Sequence, residues 1–329
     1  MNALQLNAYG DAKDVIKLIE QPEFGPLPPD EWVIDMEAVP VSPTDLYIIA
    51  GIYGELPPLP HGLGCEGVGR VSAIGSGVKH VKVGDLVIAP LLQNTTWSTR
   101  IKTNETWQRA LPDGKLNQMA QVSMNPITAL LILTEFKKLK AGDWVISTAA
   151  NSAVGRSVIP IAKGRGIKTV NIVRTPDLVD EITAAGGDIV LPDGPDVAKQ
   201  IKEATSGANI QLALDGVGGP LTQQLIDAVG LYGAVVLWSR MGGVDPTIAS
   251  IPVLFTGKSL HGFWIVNWLK IPGNRERLTA AFEEIAPLVA SGKIVIPVAG
   301  EFALDQYVDA IALASKYSGK AILYPNGKR

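Results

Sequence analysis

The chain has 329 residues, 47% of them apolar, and a formal net charge of −3. This length allows two domains, and the nearly balanced charge, without a long basic run, argues against nucleic acid or an anionic membrane as a partner. The longest uncharged apolar stretches fall far short of the about 20 residues that span a bilayer. Because the N-terminal residues also lack a targeting pattern, we predict a soluble, cytoplasmic protein.

Residues 1–118 contain short β-type runs bounded by glycine and proline, at 32–36, 67–71 and 85–89. Runs of this kind are typical of a compact, largely β domain. A short helix is predicted at 46–50, since either Ser42 or Thr44 can cap it.

From residue 119 the pattern changes to a regular alternation of strands and helices. Helices are predicted at 124–138, 153–163, 177–185, 196–205, 221–229 and 274–291, and strands at 144–146, 170–173, 189–191, 211–214 and 234–238. This alternation predicts a doubly wound parallel sheet. The β-type tail fits the first domain better, so we predict an α/β protein with domains at 1–118 and 119–293 and a return to the first domain at 294–329.

The segment 144–174 reads as a βαβ unit with a turn of small residues before its helix. In the G-x-G-x-x-G fingerprint of dinucleotide-binding turns, the three glycine positions hold Ala150, Ser152 and Gly155. The surviving glycine is the one that lets helix and strand pack closely. An ordinary strand–turn–helix explains such a partial match equally well.

Arg174 follows the second strand of this unit, where NAD-binding units carry an acidic residue for the ribose hydroxyls. An arginine there suits a 2′-phosphate, which favours NADP(H) over NAD, although it can also be a solvated charge. Another predicted strand ends in the segment 215–219, DGVGG. Ligands bind at such strand ends, but turn geometry accounts for glycines there as well.

The residues 64–75 fit the pattern G-x-E-x-x-G-x5-G, and VGDLV follows at 83–87. With the dinucleotide-binding half, they resemble the medium-chain dehydrogenase/reductase superfamily over essentially the full length. The resemblance implies a GroES-like, largely β catalytic domain and a Rossmann cofactor domain. Where zinc-dependent members have a histidine and a thiolate ligand, this chain has Cys65 and Ser42. Catalytic zinc needs three protein ligands, so we predict a zinc-free member with no bound metal.

Within the zinc-free branch the chain resembles the 2-enoyl thioester reductases. The matching pieces are spread along the sequence: PTD at 43–45, GIYG at 51–54, TW at 96–97, NPITA at 125–129, the small-residue turn at 149–155 and GFW at 262–264 with Trp268. This resemblance implies NADPH-dependent reduction of the C2=C3 bond of enoyl-CoA or enoyl-acyl-carrier-protein. It also implies a role in fatty acid metabolism and a homodimer, with 251–262 as a candidate edge.

When the family's roles are transferred to the matching positions of this sequence, the resemblance implies that Tyr53 is the catalytic residue. It also makes Trp268 a candidate wall of the substrate pocket. The implied cofactor contacts are Asn125, Asn151, Ser152, Ala153, Val154, Gly155, Arg174, Trp238, Ser239, Arg240, Met241, Phe263, Trp264, Ile265 and Lys320. The family often has Arg-Asp-Arg where this chain has Arg-Thr-Pro at 174–176. Arg240 can replace the missing second arginine only if the two loops meet.

Plainer interpretations stay open at several of these positions. Tyr53 can be a turn residue that packs its ring, and Tyr47 is a weaker candidate for proton transfer. For the tryptophan pair we favour a core role at Trp264 and leave Trp268 open. Cys65 reads as a small buried apolar residue. Two alternatives to enoyl reduction are a quinone or enone oxidoreductase and a non-catalytic NADPH-binding protein.

Overall fold

The structure is a computed structural model that describes residues 1–93, 95–316 and 319–328. The chain forms two compact units: the terminal unit, Met1–Met124 with Arg275–Arg329, and the central unit, Asn125–Asn274. In the described part, no helix combines the length and apolar character that a bilayer span requires.

The secondary structure in chain order is as follows. The strands are β1 (Asn2–Leu6), β2 (Ile16–Glu20), β3 (Trp32–Val41), β4 (His61–Gly62), β5 (Val68–Ile74), β6 (Leu86–Ile88), β7 (Arg100–Thr103), β8 (Trp144–Ser147), β9 (Lys168–Val173), β10 (Ile189–Pro192), β11 (Leu212–Asp215), β12 (Ala234–Leu237), β13 (Ser259–Gly262), β14 (Val298–Ala303) and β15 (Lys320–Tyr324). The helices are α1 (Ala12–Val15), α2 (Pro43–Ile49), α3 (Leu116–Met119), α4 (Asn125–Thr134), α5 (Ala153–Gly164), α6 (Val179–Ala184), α7 (Val197–Ala204), α8 (Pro220–Ala228), α9 (Ser250–Thr256), α10 (Ile265–Leu269), α11 (Asn274–Ala290) and α12 (Tyr307–Ala314), with 3₁₀ turns at Pro176–Leu178 and Leu304–Gln306.

Strand β3 organises the terminal unit, because it pairs antiparallel with β5, β7 and β15. Its sheet runs β14-β15-β3-β5-β6, and a smaller sheet runs β2-β1-β4. Almost every residue of β3 is buried, which explains its nearly continuous apolar sequence. Trp32 and Met36 of this strand pack with Trp97 in the core of the unit.

The C-terminal segment joins the sheet of the N-terminal residues. Strand β15 lies antiparallel to the end of β3, with Ala321 opposite Val41. This pairing agrees with the β-type pattern of the tail. Residues 317, 318 and 329 of the segment lie outside the described residues.

Helix α11 lies in the terminal unit, whereas the predicted boundaries at 118 and 293 assign it to the cofactor domain. The ring of Phe282 stacks on Trp107 at 5.2 Å between centroids, and the Thr279 hydroxyl donates to the Trp107 carbonyl at 2.9 Å. Because these contacts join α11 to the terminal unit, the observed boundaries fall at 124/125 and 274/275.

The central unit has a parallel sheet in the order β10-β9-β8-β11-β12-β13. Counted from β8, this is the order 3-2-1-4-5-6 of the Rossmann fold, so the predicted α/β class is confirmed. The strand order reverses between β8 and β11. In open α/β sheets, ligands bind at the carboxyl ends of the strands at such a reversal.

Gly155 sets the distance between α5 and the turn after β8. A Cβ at this position would lie 2.5 Å from the Ala150 Cα and 2.6 Å from the Ala149 carbonyl oxygen. Real Cβ atoms do not approach so closely, so the helix reaches the turn only because this residue is glycine. The last glycine of the fingerprint therefore has the packing role that the sequence predicts.

We expect Gly155→Ala to lower the free energy of unfolding by about 1–3 kcal/mol, because the added methyl group overpacks the contact between helix and turn. Gly164→Ala is the matched control, since a Cβ at this other α5 position meets nothing within 4 Å. Urea unfolding of both variants measures the difference. Equal stability of the two would contradict the packing role of Gly155.

Candidate functional site

The turn between β8 and α5 is held by several polar contacts. Ser152 caps the helix, since its hydroxyl accepts a hydrogen bond from the Gly155 N–H at 3.1 Å. The Arg156 guanidinium donates to the Asn151 carbonyl at 3.0 Å and pairs with Glu181. The other N–H groups of the first helical turn have no acceptor within the helix. The turn is therefore a fixed site for an anionic group at a helix N-terminus.

Asp215 ties together the two loops at the strand reversal. Its buried carboxylate accepts hydrogen bonds from the Thr148 hydroxyl at 3.0 Å, from the Thr222 hydroxyl at 2.6 Å and from two backbone N–H groups of its own loop. The Gly216 N–H donates to the Thr148 hydroxyl at 2.8 Å. These hydrogen bonds hold the loops after β8 and β11 in place. Asp215 therefore connects two loops, in addition to stabilising the turn in which it lies.

Arg174 directly follows β9 and is exposed. In the described ranges of the chain it forms no ion pair. Thr175 precedes the 3₁₀ turn Pro176–Leu178, and Pro176 has no N–H to offer. This corner of the sheet thus presents a single, unneutralised guanidinium to a ligand.

Arg240 lies in a different part of the central unit. Three strand spacings separate the ends of β9 and β12, which is roughly 14 Å at about 4.8 Å for each spacing. The Arg240 guanidinium pairs with Asp245 at 2.7 Å and donates to the Gly243 carbonyl at 2.7 Å. Both contacts hold Arg240 within its own loop. It therefore does not stand in for a second arginine beside Arg174.

Trp238 covers the loop that follows β11. A Cβ on Gly216 would lie 2.3 Å from the Trp238 ring, so the indole rests directly on the glycine backbone. The indole N–H is buried and has no hydrogen-bond partner among the described residues. Ser239 is half-buried and Met241 is 44% exposed. This loop therefore offers a donor and accessible side chains at the carboxyl edge of the sheet.

In the segment after β13, Trp264 is less buried than the core role that we expected, and Trp268, which we left open, is buried. Trp268 is only 6% exposed, and Ile265 is also buried. Trp264 is half-buried at the start of α10, with the Lys270 ammonium 6.0 Å from its ring centre. Trp268 lies inside the helix and faces the core, whereas the N-cap position keeps Trp264 near the surface. Phe263 precedes the pair, with its N–H donating to the Leu237 carbonyl at 2.9 Å.

The central unit fits a dinucleotide. Among the described residues of this unit, the buried polar atoms without a partner include the Asn125 side-chain nitrogen, the Ser147 hydroxyl and the Trp238 indole N–H. Ser147 ends β8 at the strand reversal. Buried polar groups ordinarily have partners, so these atoms indicate a polar ligand. The turn at 149–155 presents a helix N-terminus, whose partial positive charge favours an anionic group.

Tyr53 lies in the terminal unit, on the loop after α2. Gly51 starts this loop in the left-handed region, with φ of +74°, and a Cβ at this position would lie 2.9 Å from the Tyr9 Cβ. The Tyr9 hydroxyl donates to the Pro57 carbonyl at the other end of the loop. Tyr53 is half-buried and packs against the core of the unit. The fixed loop thus gives Tyr53 a defined place.

A buried polar network includes Ser42, one of the positions that correspond to zinc ligands. The Lys320 ammonium donates to the Ser42 hydroxyl at 2.9 Å, and that hydroxyl donates to the Glu66 carboxylate at 2.5 Å. The other Glu66 oxygen accepts from the Ser123 hydroxyl at 3.3 Å and the Met124 N–H at 3.2 Å. Lys320 is therefore fixed within the terminal unit before any cofactor contact is considered.

Asp45 and Cys65 complete the network. The Asp45 carboxyl accepts hydrogen bonds from the backbone N–H groups of Ser42 at 2.8 Å and Cys65 at 3.1 Å. Burial raises the pKa of Asp45 to about 7, and the neighbouring Glu66 charge adds to this shift. Burial, with the Asp45 and Glu66 charges, also raises the pKa of the Cys65 thiol well above its ordinary value. Cys65 is thus a small buried residue, as predicted.

Two interactions were not predicted from the sequence: the hydrogen bond between Thr148 and Asp215 and the ion pair between Lys320 and Glu66. The first had a signal, because an acidic residue ended a predicted strand of a parallel sheet. The second joins residues more than 250 positions apart and had none. Tyr53 and Lys320 belong to the terminal unit, and the other predicted site residues belong to the central unit.

Two family models match the chain. The "Alcohol dehydrogenase GroES-like domain" covers residues 28–127, and the "Zinc-binding dehydrogenase" domain covers residues 153–286. Among characterised proteins, the mitochondrial enoyl-[acyl-carrier-protein] reductase of Homo sapiens is 32% identical over 98% of this chain and 88% of its own length. The corresponding enzyme of Mus musculus is 33% identical, with the same coverage.

Solved structures show the same fold. A complex of Etr1p with NADP and crotonyl-CoA has a TM-score of 0.86 and 25% identity, covering 98% of this chain and 99% of that one. The Candida tropicalis mitochondrial 2-enoyl thioester reductase heterodimer has the same TM-score, identity and coverage. Quinone oxidoreductase of Escherichia coli with NADPH has a TM-score of 0.82 and 25% identity, covering 99% of this chain and 100% of that one. The identity to the enoyl reductases over nearly the whole chain places this protein in the family of 2-enoyl thioester reductases, within the medium-chain dehydrogenase/reductase superfamily.

Proposed function

We propose that this protein reduces the C2=C3 double bond of 2-enoyl thioesters with NADPH, on either coenzyme A or acyl carrier protein. The observation that carries the proposal is the match to enoyl-[acyl-carrier-protein] reductases over 98% of the chain at 32 to 33% identity. The structural likeness to a complex that contains NADP and crotonyl-CoA supports it. Quinone reduction has weaker support, because it rests on structural likeness at 23 to 25% identity.

The bound NADPH supplies the hydride that C3 of the substrate accepts. In the central unit, the N–H groups of the turn at 151–155 that are not used by the Ser152 cap would bind the diphosphate, and Arg174 would pair with the 2′-phosphate. The residues that we assign to the nicotinamide half are Trp238, Ser239, Arg240, Met241, Phe263, Trp264 and Ile265. Asn125 and Lys320 are further proposed cofactor contacts. The buried donors without a partner at Asn125 and Trp238 support this assignment.

Tyr53 is the residue that we assign to the reacting end of the substrate. Hydride addition to C3 moves the electron pair of the double bond toward the thioester oxygen, and a proton must then reach C2. A phenol hydroxyl is protonated at neutral pH, so it can donate a hydrogen bond or a proton as this charge develops. The loop between Gly51 and Pro57 holds the tyrosine for that role. Trp268, buried in α10, is the candidate wall of the acyl pocket.

We also propose a homodimer formed through strand β13. This strand lies at the edge of the parallel sheet, and an uncovered edge invites pairing with another chain. The adjacent helix α9 leaves large apolar side chains exposed: Ile251 at 68%, Leu254 at 73% and Phe255 at 76%. Two copies related by a twofold axis would pair their β13 edges and cover these side chains.

The reaction would serve fatty acid metabolism, since it saturates an acyl chain. A cytoplasmic location stays a prediction, because the relatives at 32 to 33% identity are named as mitochondrial enzymes.

Removal of the Tyr53 hydroxyl tests the catalytic assignment. We expect Tyr53→Phe to lower kcat for crotonyl-CoA by about 100-fold or more, since loss of a general acid typically costs that much. Tyr47→Phe is the control, because Tyr47 is 40% exposed on α2 of the same unit. Steady-state NADPH oxidation measures both. A kcat near the parental value for Tyr53→Phe would contradict the catalytic role of Tyr53.

Arg174 is tested through cofactor preference. We expect Arg174→Ala to lower the NADPH-over-NADH ratio of kcat/KM about 10- to 100-fold, because a hydrogen-bonded charge pair with the 2′-phosphate is lost. Arg240→Ala should change the ratio about twofold or less, since Arg240 is paired within its own loop. The same ratio in the parental protein and Arg174→Ala would contradict the 2′-phosphate role.

The proposed dimer is tested by placing a charge on α9. Phe255→Asp should shift the mass in light scattering from two chains to one, since burial of an unpaired carboxylate opposes association. Val83→Asp is the control, because Val83 is 59% exposed but lies in the terminal unit. A parental protein that is already monomeric, or a dimer that survives Phe255→Asp, would contradict this interface.

A further inference from the structure

The residues at the zinc-ligand positions do not fit a zinc ion. Both positions, 42 and 65, lie in the part of the chain that matches the alcohol dehydrogenase GroES-like domain, residues 28–127. Catalytic zinc takes three protein ligands from thiolate, imidazole and carboxylate groups. At these two positions, Ser42 offers a neutral hydroxyl that already bonds Glu66 and Lys320, so only Cys65 is an ordinary ligand type. The adjacent Glu66 carboxylate is a second, and no group of three such side chains is arranged to hold a metal ion among the described residues.

Glu66 nevertheless requires a positive charge nearby. Its carboxylate is fully buried, and an unpaired charge in a protein interior is strongly unfavourable. In the part of the chain that the structure describes, Lys320 is the cation that pairs with it, with 3.9 Å between the ammonium nitrogen and the nearer carboxylate oxygen. The Ser42 hydroxyl bridges the two groups.

The strand register explains how a lysine near the C-terminus reaches this place. Strand β15 pairs antiparallel with β3, and Ala321 lies opposite Val41. In an antiparallel pair, one step back from Ala321 along β15 corresponds to one step forward from Val41 along β3. Lys320 therefore lies beside Ser42. The side chain of Lys320 is only 10% exposed, so its ammonium lies within the unit and not in solvent.

We propose that Lys320 is a built-in cation that replaces the metal charge of the zinc-dependent members. It neutralises Glu66 permanently, and its ammonium would repel a divalent ion at the same place. This inference stands apart from the proposed reaction, because unfolding and metal binding test it without turnover. Absence of enoyl reductase activity would therefore not contradict the proposed role of Lys320.

A double-mutant cycle tests the charge compensation. We expect Lys320→Met to lower Tm by about 5 °C or more, because Glu66 loses its cation. Adding Glu66→Gln to Lys320→Met should recover at least half of that loss. Lys328→Met is the control, since it removes an exposed pair with Glu301 and should shift Tm by about 2 °C or less. If the double variant has no higher Tm or soluble yield than Lys320→Met, the proposal is wrong.

Zinc binding tests whether the lysine takes the place of the metal. The double variant Ser42→Cys with Cys65→His supplies a thiolate and an imidazole beside Glu66. Titration with Zn²⁺ alone should show at least tenfold tighter binding when Lys320→Met is added, since the competing charge is removed. Equal affinity with and without the lysine would overturn the proposal.

Discussion

The buried carboxylate of Glu66 is the constraint on which the terminal unit depends. A charge without exposure must be surrounded by donors, and the chain supplies them from three distant segments: Ser42, the backbone at Met124, and Lys320. These contacts require β15 to pair with β3 in one register. The return of the C-terminal segment to the first sheet therefore serves electrostatics as well as apolar burial.

A second constraint acts in the central unit, at the contact between α5 and the preceding turn. The close approach needs a residue without Cβ at Gly155, but it does not need glycine at 150 or 152. Ser152 contributes a hydroxyl cap that glycine lacks, and Ala149 adopts the left-handed conformation despite its Cβ, with φ of +48°. Of the three glycine positions in the G-x-G-x-x-G pattern, this chain therefore keeps only Gly155, where packing excludes any side chain.

Local pattern predicted most of the central unit, because each parallel strand is a short apolar run and each helix has its own period. It failed where the outcome depends on what an element packs against. The local pattern of α11 does not indicate that Phe282 packs on Trp107, which places the helix in the terminal unit. For the tryptophan pair, we expected a core role at Trp264, whereas α10 begins after Trp264 and buries Trp268. Likewise, the edge position of β13 depends on the whole strand order.

The polar network and the proposed reaction fit each other chemically. In zinc-dependent alcohol oxidation, the metal is the Lewis acid that stabilises the charge on the substrate oxygen. A 2-enoyl thioester carries its own acceptor: the carbonyl conjugated with the double bond takes up the electron pair as hydride adds to C3. One positioned hydroxyl donor, the role we assign to Tyr53, then meets the remaining need for charge stabilisation and protonation. Loss of the metal ligands at 42 and 65 therefore removes nothing that this chemistry requires, and it frees the position for a lysine.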